Sequence, residues 1–290
     1  MYAITGITGQ VGGAAAQALL AAGHPIRAIL RDAGKAASWA AQGAEIAIAE
    51  FEDEAALASA FTGVTGVFAM IPPYFAPAED FPEARAIVAA LRQALAATTP
   101  PKIVALSSIG AQHADGLGLI TQLHILEEQL GSLPIPIAFL RAGWFMENAA
   151  WDIEPAHQTG KMASFLQPLD RHVPMIATAD IGRIAAKALL EDWTGRRILE
   201  IEGPKRYSPN EAASLLGAAI GRPVSAYAVP RDQWEALFRA QGTAWPAPRI
   251  AMLDGFNSGW IDFEGEGCEH VLGEVPFEDV LQALAARVRK

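Results

Sequence analysis

Thr5-Gly6-Ile7-Thr8-Gly9-Gln10-Val11-Gly12-Gly13 sets glycines at regular three-residue steps between a short apolar lead, Tyr2-Ala3-Ile4, and an alanine-rich run over residues 14–22. Strand, tight turn and helix in that order can hold a phosphate. The turn needs backbone dihedrals open to glycine, and a side chain at Gly9 or Gly12 would keep a pyrophosphate, or the helix itself, off the strand. The free N–H groups at the helix start then face the phosphate oxygens. A second candidate lies where the next apolar run, residues 25–30, gives way to Arg31, Asp32 and Lys35. In dinucleotide folds this position faces the adenosine ribose, where a carboxylate bonds a 2′-hydroxyl and a cation takes a 2′-phosphate. Arg31 and Lys35 therefore predict NADP(H) in preference to NAD(H), with Asp32 the residue that keeps NAD(H) open. Ser107-Ser108 ends a later apolar run and offers two hydroxyls at a strand end in the same cleft.

Bringing these residues together takes a parallel sheet. Residues 44–49 alternate as a strand should, 54–61 read as a helix, and 64–71 form a continuous apolar strand that Pro72-Pro73 stop. A helix is predicted over 79–97, a strand over 102–106, a helix over 117–130 and a strand over 135–140. Strands alternating with helices at this spacing imply helices on both faces of a parallel sheet. The segment 143–174 has no clear period and reads as irregular, lying over a pocket. Beyond it come a helix over 179–191 opened by Asp180, a strand over 197–201, and a helix to Ile220 announced by the capping box Ser208-Pro209-Asn210-Glu211. A short strand over 224–229, a helix over 231–241 and a terminal helix over 277–288 complete the reading. The predicted fold is α/β, a Rossmann-type doubly wound parallel sheet with a smaller, interwoven C-terminal α/β lobe. Residues 1–142 form the NAD(P)-binding domain, with 175–202 returning to it, and 143–290 are mainly a substrate-binding lobe.

Composition narrows the partners. Of 290 residues 51% are hydrophobic and 19% charged, so the chain can bury a sizeable core. A formal charge of -10 argues against nucleic acid or an anionic membrane as partner and makes any phosphate site a local one. One cysteine, Cys268, excludes an internal disulfide, and the six histidines show no ligand-like spacing, so no metal site is predicted. With a first strand at residue 2 and no apolar run of membrane-spanning length, a cytoplasmic location is expected. The acidic residues over 45–54 read as a solvated surface and helix start.

Thr5-Gly6-x-Thr8-Gly9-x-x-Gly12, Leu30-Arg31-Asp32, Gly63-Val64, Leu106-Ser107-Ser108, Leu140-Arg141-x-Gly143-Trp144-Phe145-Met146-Glu147-Asn148 and Ala179-Asp180-Ile181 together resemble the NmrA-like branch of the atypical short-chain dehydrogenases/reductases, with similarity to the type 2 NAD(P)H quinone oxidoreductases. The resemblance implies that Gly6, Thr8, Gly9, Gln10, Val11 and Gly12 surround the pyrophosphate and that Arg31 and Lys35 meet the 2′-phosphate. It places Glu50 and Phe51 beside the adenine, Met70, Ile71 and Pro72 along the ribose-phosphate, and Ser107 and Ser108 where nicotinamide and substrate meet. Pro73, Trp144, Phe145 and Asn148 would bound the substrate.

The wider superfamily reduces carbonyls with a Tyr-x-x-x-Lys pair, in which the lysine lowers the tyrosine pKa. Here the corresponding helix reads Leu119-Ile120-Thr121-Gln122-Leu123-His124-Ile125-Leu126-Glu127 and has neither. Ser108 and His124 are left as catalytic candidates, His124 being the only group there that titrates near neutrality. A quinone needs less help, because hydride transfer yields a hydroquinone anion that solvent or a histidine can protonate. The expected activity is hydride transfer from NADPH to a quinone or similar flat, conjugated electrophile, and a homodimer is compatible with it. The missing pair also suits the resemblance's other branch, redox-sensing regulators that bind the dinucleotide and a protein partner without turnover.

Overall fold

The computed structural model describes residues 1–288. Its first half runs β1 (Tyr2–Ile4), α1 (Gln10–Ala21), β2 (Ile26–Leu30), α2 (Ala36–Ala40), β3 (Glu45–Ile48), α3 (Glu54–Phe61), β4 (Gly66–Ala69), α4 (Pro82–Thr98), β5 (Ile103–Ser108), α5 (Thr121–Gly131) and β6 (Ile137–Ala142). Then come β7 (Trp144–Phe145), α6 (Ala150–Thr159), β8 (Lys161–Ser164), β9 (Met175–Ile176), α7 (Thr178–Leu190), β10 (Arg196–Glu202), α8 (Pro209–Ile220), β11 (Ser225–Ala228), α9 (Trp234–Ala240), α10 (Ala247–Ser258), β12 (Glu269–Leu272) and α11 (Phe277–Val288). Eight strands pair in the order β12-β10-β6-β5-β4-β1-β2-β3, every pair parallel. This is the predicted doubly wound Rossmann-type sheet. Its order reverses at β1, which pairs with both β2 and β4, and ligands of such sheets bind in the crevice beyond the strand ends at that point.

Burial on both faces explains the unbroken apolar runs of the central strands. Ile4, Phe68, Val104, Leu106 and Leu140 face α1 and α7, while Ala3, Val67, Ala105 and Phe139 face α3, α4 and α5. Helix α7 seats on α1 through Gly182, where a Cβ would come within 2.4 Å of the Ala14 methyl. The remaining helices enclose a further core around Tyr207, Trp234 and Phe238, with β7 paired to β9 and β8 to β11.

Four segments depart from the sequence reading. Within 143–174, α6 forms with Pro155 inside it, and only Ile153 and Ala156 are buried, so no helical period shows in the sequence. Strand β12 was not foreseen either, because Glu269-His270-Val271-Leu272 lacks an apolar pattern. Side chains of β10 hold it instead: Arg197 pairs with Glu269 at 2.7 Å, and the His270 ring meets Glu202 at 2.8 Å. Just upstream, buried Glu200 accepts the N–H groups of Glu264 at 2.6 Å and Gly265 at 3.1 Å. The predicted helix over 117–130 opens as a 3-10 turn, Gly118–Ile120, before α5, and α10 occupies a stretch without an expected element.

Candidate active site

The glycine turn has the geometry of a phosphate cradle. Gly6 adopts φ +61°, and a Cβ there would lie 2.3 Å from the Met70 sulfur. At Gly12 a Cβ would sit 2.4 Å from the Gly6 carbonyl oxygen, so only glycine lets α1 rest on the turn. No side chain caps α1, and Thr8, Gly9 and Gln10 are exposed at its start. An uncapped, open helix N-terminus fits a phosphate dianion. Val11 is the exception among these residues, since its side chain is core and only its backbone is available. Thr5 ties the crevice shut beneath: its hydroxyl donates to the Phe68 carbonyl at 3.1 Å and accepts the Met70 N–H at 3.0 Å.

A groove of about 410 Å³ continues from Thr8 and Gly9 past Gln17 to Lys35, Ser38 and Trp39. Arg31 stands at the end of β2, its guanidinium 6.0 Å from the Phe51 ring centre and its Nε 3.9 Å from a Glu50 oxygen. Such an exposed, long ion pair leaves the cation free to turn to a phosphate. The Asp32 carboxylate accepts the Gly34 N–H at 2.8 Å through one of its oxygens.

At the other end of the cleft the structure separates the two serines. Ser108 is half-buried and its hydroxyl makes only a local 3.1 Å bond to the Ile109 carbonyl. Ser107 is turned to the opposite sheet face, 3% exposed, and donates to Glu127 at 2.6 Å. Strand alternation imposes this, and the Ser107 side chain is not available to a cofactor as expected. Glu127 also holds Arg141 through two bonds of 3.0 and 2.9 Å, and Arg141 reaches Glu264 at 2.6 Å. Burial opposes the Arg141 charge, but these carboxylates win and hold its proton above the ordinary arginine range. His124 lines a cavity of about 480 Å³ beside this cluster, with Nδ1 2.9 Å from the Ala111 carbonyl and Nε2 3.6 Å from Glu128. Cys268 lines it too, its thiol pushed up to about 11 by burial and by Glu200 and Glu264.

Over the cleft, Trp144 packs its edge on Phe256 with centroids 5.4 Å apart, and Phe145 packs toward α1 and α7. Asn148 is half-buried and makes no side-chain hydrogen bond among the described residues. Ile71 is buried, whereas Pro72 and Pro73 remain accessible. Three residues here were missed. Glu147 accepts the Thr178 N–H at 2.9 Å and its hydroxyl at 2.6 Å, capping α7. The Thr178 hydroxyl also lies 3.2 Å from the Gln10 side-chain oxygen, which can accept from it. Asp152, four residues beyond Asn148, is the third. Burial pushes its carboxyl up to about 7, and only the position of the 143–148 block could have signalled it.

An uncapped glycine-turn helix at the switch point of a doubly wound parallel sheet defines a Rossmann-type nucleotide-binding protein. The chain belongs to the NmrA-like family, which matches residues 2–244. It is 27% identical over 243 residues to an NAD(P)H azoreductase of Xenophilus azovorans, covering 83% of this chain and 82% of that protein. Quinone oxidoreductase 2 of Escherichia coli K12 is likewise 27% identical, over 244 residues, at 83% and 82% coverage. Among solved structures, an NADPH-dependent quinone oxidoreductase of Escherichia coli complexed with NADPH superposes with TM-score 0.78 at 22% identity over all of both chains. A Citrobacter triphenylmethane reductase complexed with NADP(H) gives 0.79 at 20% identity, over 98% of this chain and all of that one.

Proposed function

We propose that the protein is an NADPH-dependent oxidoreductase that reduces a quinone or a similar flat, conjugated electrophile. The observation that carries this is the uncapped, exposed start of α1 opening on a groove that Lys35 also lines, with Arg31 directly after the neighbouring strand β2. The names of its relatives, quinone, azo and dye reductases, support the same reaction class. Gly6, Thr8, Gly9, Gln10 and Gly12 would hold the pyrophosphate, Arg31 and Lys35 the 2′-phosphate, Glu50 and Phe51 the adenine, and Met70 to Pro72 the ribose-phosphate. Bound there, NADPH supplies a hydride. The protein's own work is then positional: Pro73, Trp144, Phe145 and Asn148 lay the acceptor flat, and the apolar wall keeps water from the reacting face. Ser108 offers the acceptor a hydroxyl at the strand end.

No described helix is long and apolar enough to cross a membrane, and the net charge of -10 supports a small-molecule partner rather than nucleic acid. A cytoplasmic site of action fits the single cysteine. The test is loss of NADPH absorbance with a panel of quinones, azo dyes and cationic triarylmethane dyes. Oxidation with at least one acceptor class is expected, and none with any of them overturns the proposal in favour of a dinucleotide sensor.

A further inference from the structure

Two aromatic rings stand in solvent at the cleft and touch each other. Phe75 lies on the segment that leaves β4, which starts against the glycine turn where the Met70 N–H donates to Thr5. Its side chain is left 48% exposed. Trp151, on the first turn of α6 just beyond Asn148, is 61% exposed. The rings meet edge-on with centroids 5.7 Å apart.

Topology fixes where this contact falls. Strands β4 and β6 flank β5 and run parallel to it, so all three end at the same edge of the sheet. A side chain on the segment after β4 that touches one on the segment after β6 bridges the end of β5, where Ser108 stands. The β4 segment is also fastened along its length. Buried Gln122 of α5 donates to the Tyr74 carbonyl at 3.1 Å. Asp80 and Phe81 both adopt left-handed backbone, φ 62° and 57°, which costs a non-glycine residue free energy and persists only where the surroundings hold it. Here Phe81 packs on Trp245 with centroids 5.4 Å apart, and Arg85 Nε donates to the Asp80 carbonyl at 2.9 Å. The strained turn seats Phe81 in the core, 7% exposed, while Phe75 stays out in solvent beside Trp151.

We propose that Phe75 and Trp151 are the specificity-determining pair of the acceptor site, gripping flat acceptors of two or more fused rings at the rim above Ser108. The inference rests on the reductase reading of the same cleft. A flat ring system laid against both side chains buries the aromatic surface that they leave in water, and aromatic contacts of this kind add to the gain from burial. Since the pair stands at the rim, it touches the acceptor's outer ring and leaves the reacting ring to the strand end.

1,4-Benzoquinone and 1,4-naphthoquinone share the reacting ring and differ by the fused one. In Phe75→Ala and in Trp151→Ala the KM for 1,4-naphthoquinone should rise about tenfold, with its kcat, the benzoquinone KM and the Kd for NADPH little changed. Phe75→Tyr and Trp151→Phe keep a ring and should recover most of the loss. Binding alone is read with 1,4-dimethoxynaphthalene, which has the naphthoquinone ring system and accepts no hydride. Titration calorimetry on the NADP⁺-saturated protein should show the same loss in the alanine variants. An unchanged naphthoquinone KM in both alanine variants, an equal rise for both quinones, or a wild type that does not bind the dimethoxynaphthalene overturns the proposal. If wild type oxidises NADPH with no acceptor, the reductase reading fails, and the calorimetric comparison still decides for or against the pair.

Discussion

Arg31 offers an exposed guanidinium that only a long ion pair with Glu50 engages, next to the Phe51 ring and directly after β2. Removing it as Arg31→Ala should raise the Kd for NADPH about tenfold and leave that for NADH nearly unchanged, because a charge-assisted phosphate bond is lost. Titration calorimetry with both dinucleotides checks this, and equal losses would assign the discrimination elsewhere. Asp152 makes a prediction about stability. In the unfolded chain its carboxyl ionises near pH 3.9, as an ordinary aspartate does, but in the folded protein only near pH 7. Between those values the folded state binds the extra proton, so wild-type stability falls as pH rises. Thermal melts of Asp152→Asn should gain on wild type from about pH 4 to about pH 7 and hold a constant lead above it.

At the scale of elements, two junctions decide where the site sits. The first is α1 on α7, where Gly182→Ala would drive a methyl into Ala14 and part the helices, costing about 1–3 kcal/mol by overpacking and measurable by urea unfolding. The second is α5 on β5 and β6, pinned by Glu127 to Ser107 and Arg141. Glu127→Ala strands a buried guanidinium with only Glu264 for company, and a loss of about 3 kcal/mol is expected from the same measurement. The sequence was readable where backbone demands dictate residue type. Gly6, Gly9 and Gly12 announce the turn, Ser208 to Glu211 announce α8, and continuous apolar runs announce strands buried on two faces. It was opaque where the deciding partner is distant. Ser107 and Ser108 differ by one step along β5, and only the placement of α5 tells which of them the cleft receives. Helix α6 hides behind Pro155, and β12 is specified by Arg197, Glu200 and Glu202, which stand on another strand.

At the scale of the whole molecule, one sheet takes strands from both halves of the chain, β10 and β12 joining β1 to β6. Beyond residue 244 lie α10, β12 and α11, and this stretch supplies Leu253, Phe256, Ile261, Phe277 and Leu281 to the core. Buried Asp180 of α7 fastens the same region, accepting the Glu274 and Val275 N–H groups at 2.8 and 2.9 Å. A chain ended at residue 244 should therefore show no cooperative unfolding in calorimetry, whereas the full chain should unfold in a single transition.

The short run from Gln10 through Thr178 to Glu147 starts at the glycine turn and ends one residue before Asn148. Under the proposed reading, a dinucleotide that steadies Gln10 would steady the segment around Asn148 through it, and such coupling is reciprocal. The acceptor should tighten the dinucleotide by the same factor that the dinucleotide tightens the acceptor. The measurable sign is a Kd for a non-reducible acceptor analogue that falls when the dinucleotide is bound, by the same factor as in the reverse titration.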